Sequence, residues 1–186
     1  AAAVTKKIRL GTGICLLPER QPLTTAKAVA SIDKLSGGRF DFGVGIGWLK
    51  EEFQALEIPW AKRAQRTRDY LMAMKSLWTD AESQYDGEFC RFHSVRPLPK
   101  PVQKPYPPII FGGESEPALR RVGEVGDGWW GVNVTVESAK DHLAQIKNFA
   151  EGAGRDASAL TYAVTTGIGV PVSLDEVEQF AEIGVD

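Results

Sequence analysis

Three short apolar runs in this sequence end in glycines, and a helical pattern follows each of them. They are Ile-Arg-Leu-Gly-Thr-Gly-Ile over 8–14, Phe-Asp-Phe-Gly-Val-Gly-Ile-Gly over 40–47, and Ile-Ile-Phe-Gly-Gly-Glu-Ser over 109–115. Glycine carries no Cβ, so a strand that ends in glycines lets a ligand come close to its backbone. In parallel α/β proteins that approach is made at the carboxyl ends of the strands. The repetition constrains the fold more than any one glycine does, and it points to a single shared site.

The intervening segments fit the same plan. Ile8–Leu17 reads as the first strand. Thr24–Leu35 places Ala26, Val29, Ala30 and Ile32 on one helical face, and Ser36-Gly37-Gly38 stops the helix. Arg39–Val44 is apolar on both faces, as a buried parallel strand is. Lys50–Leu56 reads as a short helix. Ala64–Trp78 reads as a longer one, with Tyr70, Leu71, Met74, Leu77 and Trp78 at core spacing. Ile109–Phe111 is then a strand and Glu116–Val125 a helix with Pro117 in its first turn. Asp127–Gly131 is an aromatic strand, Val136–Ala150 a helix, and Leu160–Val170 a strand rich in β-branched residues. Leu174–Ile183 is a helix opened by a capping box of Ser173 and Glu176. Strict alternation implies parallel strands joined by right-handed crossovers. The class is α/β with about five parallel strands, either an incomplete (β/α)8 TIM-type barrel or an open doubly wound sheet.

Asp80–Pro108 interrupts the alternation. Asp86-Gly87 marks the turn of a small hairpin between Ser83–Tyr85 and Glu88–Phe92. Prolines at 97, 99, 101, 105, 107 and 108 then exclude helix and favour an extended path. An insertion of this length is a segment with a task of its own, a mobile segment, or an ordered wrap over the surface.

A net charge of −2 gives no electrostatic case for nucleic acid or for an anionic membrane. No stretch approaches the about 20 apolar residues of a membrane span. The amino end, Ala-Ala-Ala-Val-Thr-Lys-Lys, lacks the apolar region of a signal peptide. Cys15 and Cys90 lie far apart without metal-ligand spacing and read as reduced thiols of a cytoplasmic protein. His93 and His142 stand alone. His142 sits in a polar helical stretch, which predicts a solvated ring, and no metal site follows.

Gly43-Val-Gly-Ile-Gly47 has a G-x-G start, but Lys50 stands where a dinucleotide fingerprint needs its last glycine, and no acidic residue ends a second strand about 20 residues on. These residues instead let a flat ring pack against the strand end, or form a tight turn with no ligand. Gly112, Gly113, Glu114 and Ser115 open a helix, where backbone N–H groups and the helix dipole suit a phosphate. Ser115 adds a hydroxyl to that site or serves only as the cap. Glu114 fits beside a phosphate only with its carboxylate turned away. Trp48, Trp129 and Trp130 lie near strand ends, as core or as the wall of a cofactor site. Glu51-Glu52 reads as a solvated first-turn pair. No Ser-His-Asp set, carboxylate pair or activated cysteine stands out, which suits a cofactor that carries the chemistry itself.

Taken together, the runs at 8–14, 33–40, 43–48, 107–113 and 126–129 resemble the luciferase-like flavin and deazaflavin oxidoreductase family, in its order and with its proline-bearing insertion. The resemblance covers nearly the whole chain. It implies one partial (β/α)8 barrel domain over 1–186 with the insertion at 80–108. It also implies coenzyme F-420, or alternatively FMN, at the carboxyl face of the strands. By position, it implies that Thr12, Gly13 and Ile14, with a cis peptide between Gly13 and Ile14, lie behind the ring. Gly45, Ile46, Gly47 and Trp48 would line the ring, and Gly112, Gly113, Glu114 and Ser115 would hold the phosphate. Trp48 stands where some deazaflavin-dependent members carry a catalytic glutamate, so acid catalysis does not carry over to it, and no residue here is assigned a catalytic role.

Against the family's barrel, the chain is expected to start at the third strand and stop before the eighth. The catalytic histidine, further phosphate contacts and much of a homo-oligomeric interface are expected elsewhere. The implied function is hydride transfer between a bound deazaflavin or flavin and a small organic substrate. The alternatives are an FMN-dependent monooxygenase and a non-catalytic flavin-binding or assembly fragment.

Overall fold

The computed structural model describes residues 1–167 and 170–186. The chain forms two compact units, Ala1–Pro107 and Pro108–Asp186.

In the first unit, β1 (Leu10–Gly11) and β2 (Cys15–Leu16) both pair in parallel with β3 (Phe40–Gly45). Leu10 lies opposite Phe40, and Cys15 opposite Val44. The strand expected over Ile8–Leu17 is therefore one line with a gap at residues 12–14. The Gly13–Ile14 peptide within that gap is cis. Thr12 bridges the gap with its side chain, its hydroxyl donating to the Gly43 carbonyl at 2.8 Å. After β2 comes α1 (Pro22–Ser36), which ends on Gly37 in the left-handed conformation, as the glycine pair predicts. Next come α2 (Lys50–Ala55) and α3 (Arg63–Thr79). Ala26, Val29, Phe42, Val44, Leu71, Met74, Leu77 and Trp78 form the buried core of the unit. The Trp78 indole donates to the Ala26 carbonyl at 3.0 Å and ties α3 to α1.

Ile32, expected on the buried face of α1, is exposed, while its neighbour Asp33 is fully buried. The Asp33 carboxylate accepts from the Val102 and Gln103 backbone N–H groups at 2.7 and 3.0 Å, and from Gln103 Nε2 at 2.7 Å. A buried carboxylate is tolerated because its lone pairs are taken up by donors. It fastens the proline-rich path to the helix.

The hairpin pairs β4 (Ser83–Asp86) with β5 (Arg91–Val95), antiparallel, Tyr85 opposite Phe92. Its second strand begins at Arg91 rather than Glu88, because the turn runs over 87–90 and is closed by Gly87 N–H donating to Cys90 O at 2.9 Å. Asp69 of α3 holds this turn. Its carboxylate accepts from Tyr85 Oη at 2.8 Å and from the N–H groups of Phe89 and Cys90 at 2.8 and 3.0 Å.

In the second unit β6 (Ile109–Gly112), β7 (Gly128–Val132) and β8 (Thr161–Thr165) are parallel, with Trp129 between Phe111 and Tyr162. The helices are α4 (Glu116–Val125), α5 (Val136–Gly152) and α6 (Leu174–Glu182). β8 is shorter than the strand expected over 160–170, and positions 168 and 169 of that expectation lie outside the described residues. α4 and α5 approach closely at Gly123, where an added Cβ would lie 2.6 Å from Phe149 Cβ. Ser173 and Glu176 form the expected capping box.

His142 corrects the sequence reading. It is half-buried, its ring stands edge-on to Trp129 at 5.5 Å, and its Nδ1 is buried without a partner. The polar neighbours of His142 in sequence are exposed, but the strand beneath α5 carries a large indole that reaches it.

Candidate functional site

Of the expected site residues, Thr12–Ile14 and Gly45–Trp48 lie in the first unit and Gly112–Ser115 in the second. In the first unit, Gly43 makes the close approach possible. A Cβ there would lie 1.8 Å from the Thr12 carbonyl oxygen, so only glycine lets Thr12 sit against β3. Gly45 lies beneath Ile14, with Ile14 Cγ2 3.2 Å from where a Cβ would be. Thr12, Gly13, Ile14 and Gly45 are thus brought together. The space beyond Gly13 is open, with nothing within 4 Å of an added Cβ. Thr12, Gly13 and Ile14 line an open groove of about 580 Å³ along α1, together with Cys15 and Arg20. Gly45, Ile46 and Gly47 do not line that groove.

Gly47 forms the turn after β3 at φ 78°, a left-handed conformation that favours glycine. The Phe53 ring lies directly under it, 2.5 Å from the position of an added Cβ. Arg63 Nε donates to the Gly47 carbonyl at 3.2 Å. Glu19, from the 3-10 turn at Leu17–Glu19, brings its Oε1 to 3.0 Å from where a Gly47 Cβ would be, and that oxygen is buried without a partner. Desolvation raises the Glu19 pKa first, and the nearby Glu52 carboxylate second, against the pull of Arg20. Burial likewise pushes the Cys15 thiol pKa up, against the pull of Arg20. Trp48 projects into solvent at 79% exposure, and Glu51 and Glu52 are exposed in the first turn of α2, as expected.

In the second unit, Gly112–Ser115 leads into α4. Gly113 has φ 106°, and its carbonyl accepts from the Trp129 indole at 3.0 Å. The Glu114 carboxylate accepts from the Val132 N–H at 2.8 Å, which turns its charge toward β7. Ser115 occupies the cap position of α4, but its side chain makes no capping bond. Trp129 is fully buried and belongs to the core, whereas Trp130 is partly exposed.

Each unit by itself offers one kind of ligand-binding feature. In the first unit, an open backbone face at Gly13 suits a flat ring. In the second, a glycine turn before a helix, a hydroxyl not engaged by its own helix and a carboxylate held aside suit a phosphate. Sequence reasoning missed Arg63, Glu19 and the Trp129 indole bond. No local pattern singles out Arg63 or Glu19, and none shows which carbonyl a side chain will reach. Among the described residues no group of His, Cys, Asp or Glu is placed to hold a metal ion, and no helix is long and apolar enough to cross a membrane.

The family model for luciferase-like monooxygenases matches residues 1–182. An uncharacterized protein of Mycobacterium tuberculosis is 36% identical over 185 residues, which cover 100% of this chain and 64% of the relative. An FMNH2-dependent dimethylsulfone monooxygenase of Pseudomonas putida is 32% identical over 182 residues, 96% of this chain and 48% of the enzyme. The chain thus spans between about half and two thirds of these relatives. A coenzyme F420-dependent tetrahydromethanopterin reductase of Methanopyrus kandleri superposes with a TM-score of 0.77 at 24% identity, over 89% of this chain and 51% of that enzyme. The fold is therefore an incomplete TIM-type barrel of parallel strands and alternating helices, and the doubly wound alternative is set aside.

Proposed function

The chain belongs to the luciferase-like monooxygenase family, and from that premise we propose that it serves an oxidoreductase acting on a small organic substrate with a bound flavin or deazaflavin. The observation that carries this reading is the open backbone face at Gly13, between Thr12 and Ile14 and against the glycines of β3. When bound, such a ring supplies hydride exchange, or in reduced FMN also the activation of dioxygen.

The chain's own contribution is to hold and shield. Thr12, Gly13 and Ile14 back the ring. Gly45, Ile46, Gly47 and Trp48 line its edge, and the exposed Trp48 indole is available to exclude water from it. In the second unit, the backbone of Gly112, Gly113 and Glu114 and the Ser115 hydroxyl hold the phosphate. Cytoplasmic location and homo-oligomeric assembly belong to the same reading.

Hydride transfer with coenzyme F-420 is the first form of this proposal. A second form, oxygenation with reduced FMN, is favoured by the 32% identity to an FMNH2-dependent monooxygenase. Anaerobic titration of the native protein with each cofactor, followed by oxygen uptake during turnover, tests both. Binding of F-420 without oxygen uptake supports the first form, and FMN binding with oxygen uptake supports the second. Binding of neither cofactor overturns the proposal.

A further inference from the structure

The turn at Gly47 is held by a closed circuit of side chains. Phe53, from α2, lies under the Gly47 Cα, where its ring excludes any Cβ. The Phe53 ring stands edge-on to Trp60 at 5.0 Å and 90°. The Arg63 guanidinium lies over the Trp60 ring, 3.7 Å from its centroid. Arg63 Nε then returns to the Gly47 carbonyl at 3.2 Å. The circuit therefore begins and ends on one residue of the turn, gripping it at its Cα and at its carbonyl.

Each member has a physical reason to be where it is. A guanidinium is planar and weakly hydrated, so it stacks on an indole while still directing an N–H along its edge. Its stacking on Trp60 limits the motion of a long side chain, which lowers the entropy lost in keeping the bond to Gly47. Phe53 is fully buried and cannot yield to a shift of the turn. A lysine at 63 would keep the charge but lose the planar stack.

We infer that Arg63 is a positioning residue: held by Trp60, it fixes the Gly47 carbonyl and thereby keeps the Gly45–Ile46–Gly47 turn in the shape that receives the cofactor ring. The inference rests on the reading above that this turn lines the ring. Arg63 acts through the Gly47 carbonyl and is assigned no contact with cofactor or substrate.

The test uses the native protein and its Arg63→Ala and Arg63→Lys variants, without cofactor and in titrations with FMN and with F-420. In the cofactor-free Arg63→Ala protein, amide hydrogen exchange should quicken over 46–50 and stay unchanged over 109–115. Affinity for whichever cofactor the unaltered protein binds should fall about tenfold, the effect of losing one charge-assisted hydrogen bond. The absorption band of the bound ring should shift. Arg63→Lys should recover part of the affinity through its remaining donor. If Arg63→Ala proves too unstable to purify, the same exchange and affinity measurements on Arg63→Lys decide, with an intermediate loss expected. Unchanged exchange over 46–50, or affinity within twofold of the unaltered protein, overturns the role of Arg63 and leaves the cofactor reading standing. An unaltered protein that binds neither cofactor overturns that reading and this inference with it.

Discussion

The Trp129 indole N–H donates to the Gly113 carbonyl at 3.0 Å, from a side chain that is fully buried. The core of the second unit thus reaches directly into the turn that precedes α4. Trp129→Phe keeps an aromatic ring but removes the donor, leaving a partly buried carbonyl unpaired. It should cost about 1–2 kcal/mol of stability, read from the urea midpoint, and should weaken cofactor binding in the native protein. An unchanged midpoint would show that water replaces the indole at no cost.

Gly43 and Gly13 should respond in opposite ways to the same methyl group. At Gly43 a Cβ would collide with the Thr12 carbonyl oxygen at 1.8 Å, so Gly43→Ala forces β1 and β3 apart and should cost about 3 kcal/mol or more. At Gly13 nothing lies within 4 Å, so Gly13→Ala should leave the melting temperature nearly unchanged while lowering cofactor affinity. Thermal melting and cofactor titration of the two variants check both expectations.

Asp33 should be a stability residue despite its place on a helix otherwise read as half polar. Asp33→Ala removes three hydrogen bonds to a buried carboxylate and strands the N–H groups of Val102 and Gln103. A loss of about 3 kcal/mol or more is expected, with faster proteolysis within 96–106.

Glu19 should give the protein a pH dependence of its own. Desolvation and the neighbouring Glu52 raise its pKa in the folded state. Its stabilising contribution is therefore complete below the ordinary glutamate value of about 4.3 and is lost as pH rises through the folded value. Glu19→Gln should melt higher than the unaltered protein at pH 7 and equally at pH 4. A melting temperature lowered at pH 7 would show that the ionised carboxylate is favourable where it stands.

The locations of the elements could be read from local patterns. The glycine pair at 37–38 marks the end of α1, and the spacing of Leu71, Met74, Leu77 and Trp78 marks the buried face of α3. The capping box at Ser173 and Glu176 marks the start of α6. Each of these signals acts between residues close in sequence, which is why pattern alone suffices. The cis peptide between Gly13 and Ile14 was legible only through family resemblance, and the gap around it, in a strand read as continuous over Ile8–Leu17, was not legible at all, since no local propensity separates Gly11 from Cys15.

By itself, then, the sequence determined the alternating parallel plan, the glycine-ended strands and the residues available at their ends. The tertiary structure alone decided which atoms those residues meet. It buried Asp33 instead of Ile32, brought Trp129 under His142 and onto Gly113, turned Glu114 to Val132, and carried Arg63 back to Gly47. Hydrogen bonds between residues distant in sequence leave no periodic trace. They depend on where a long side chain ends once the core is packed, and that position is set by the fold as a whole.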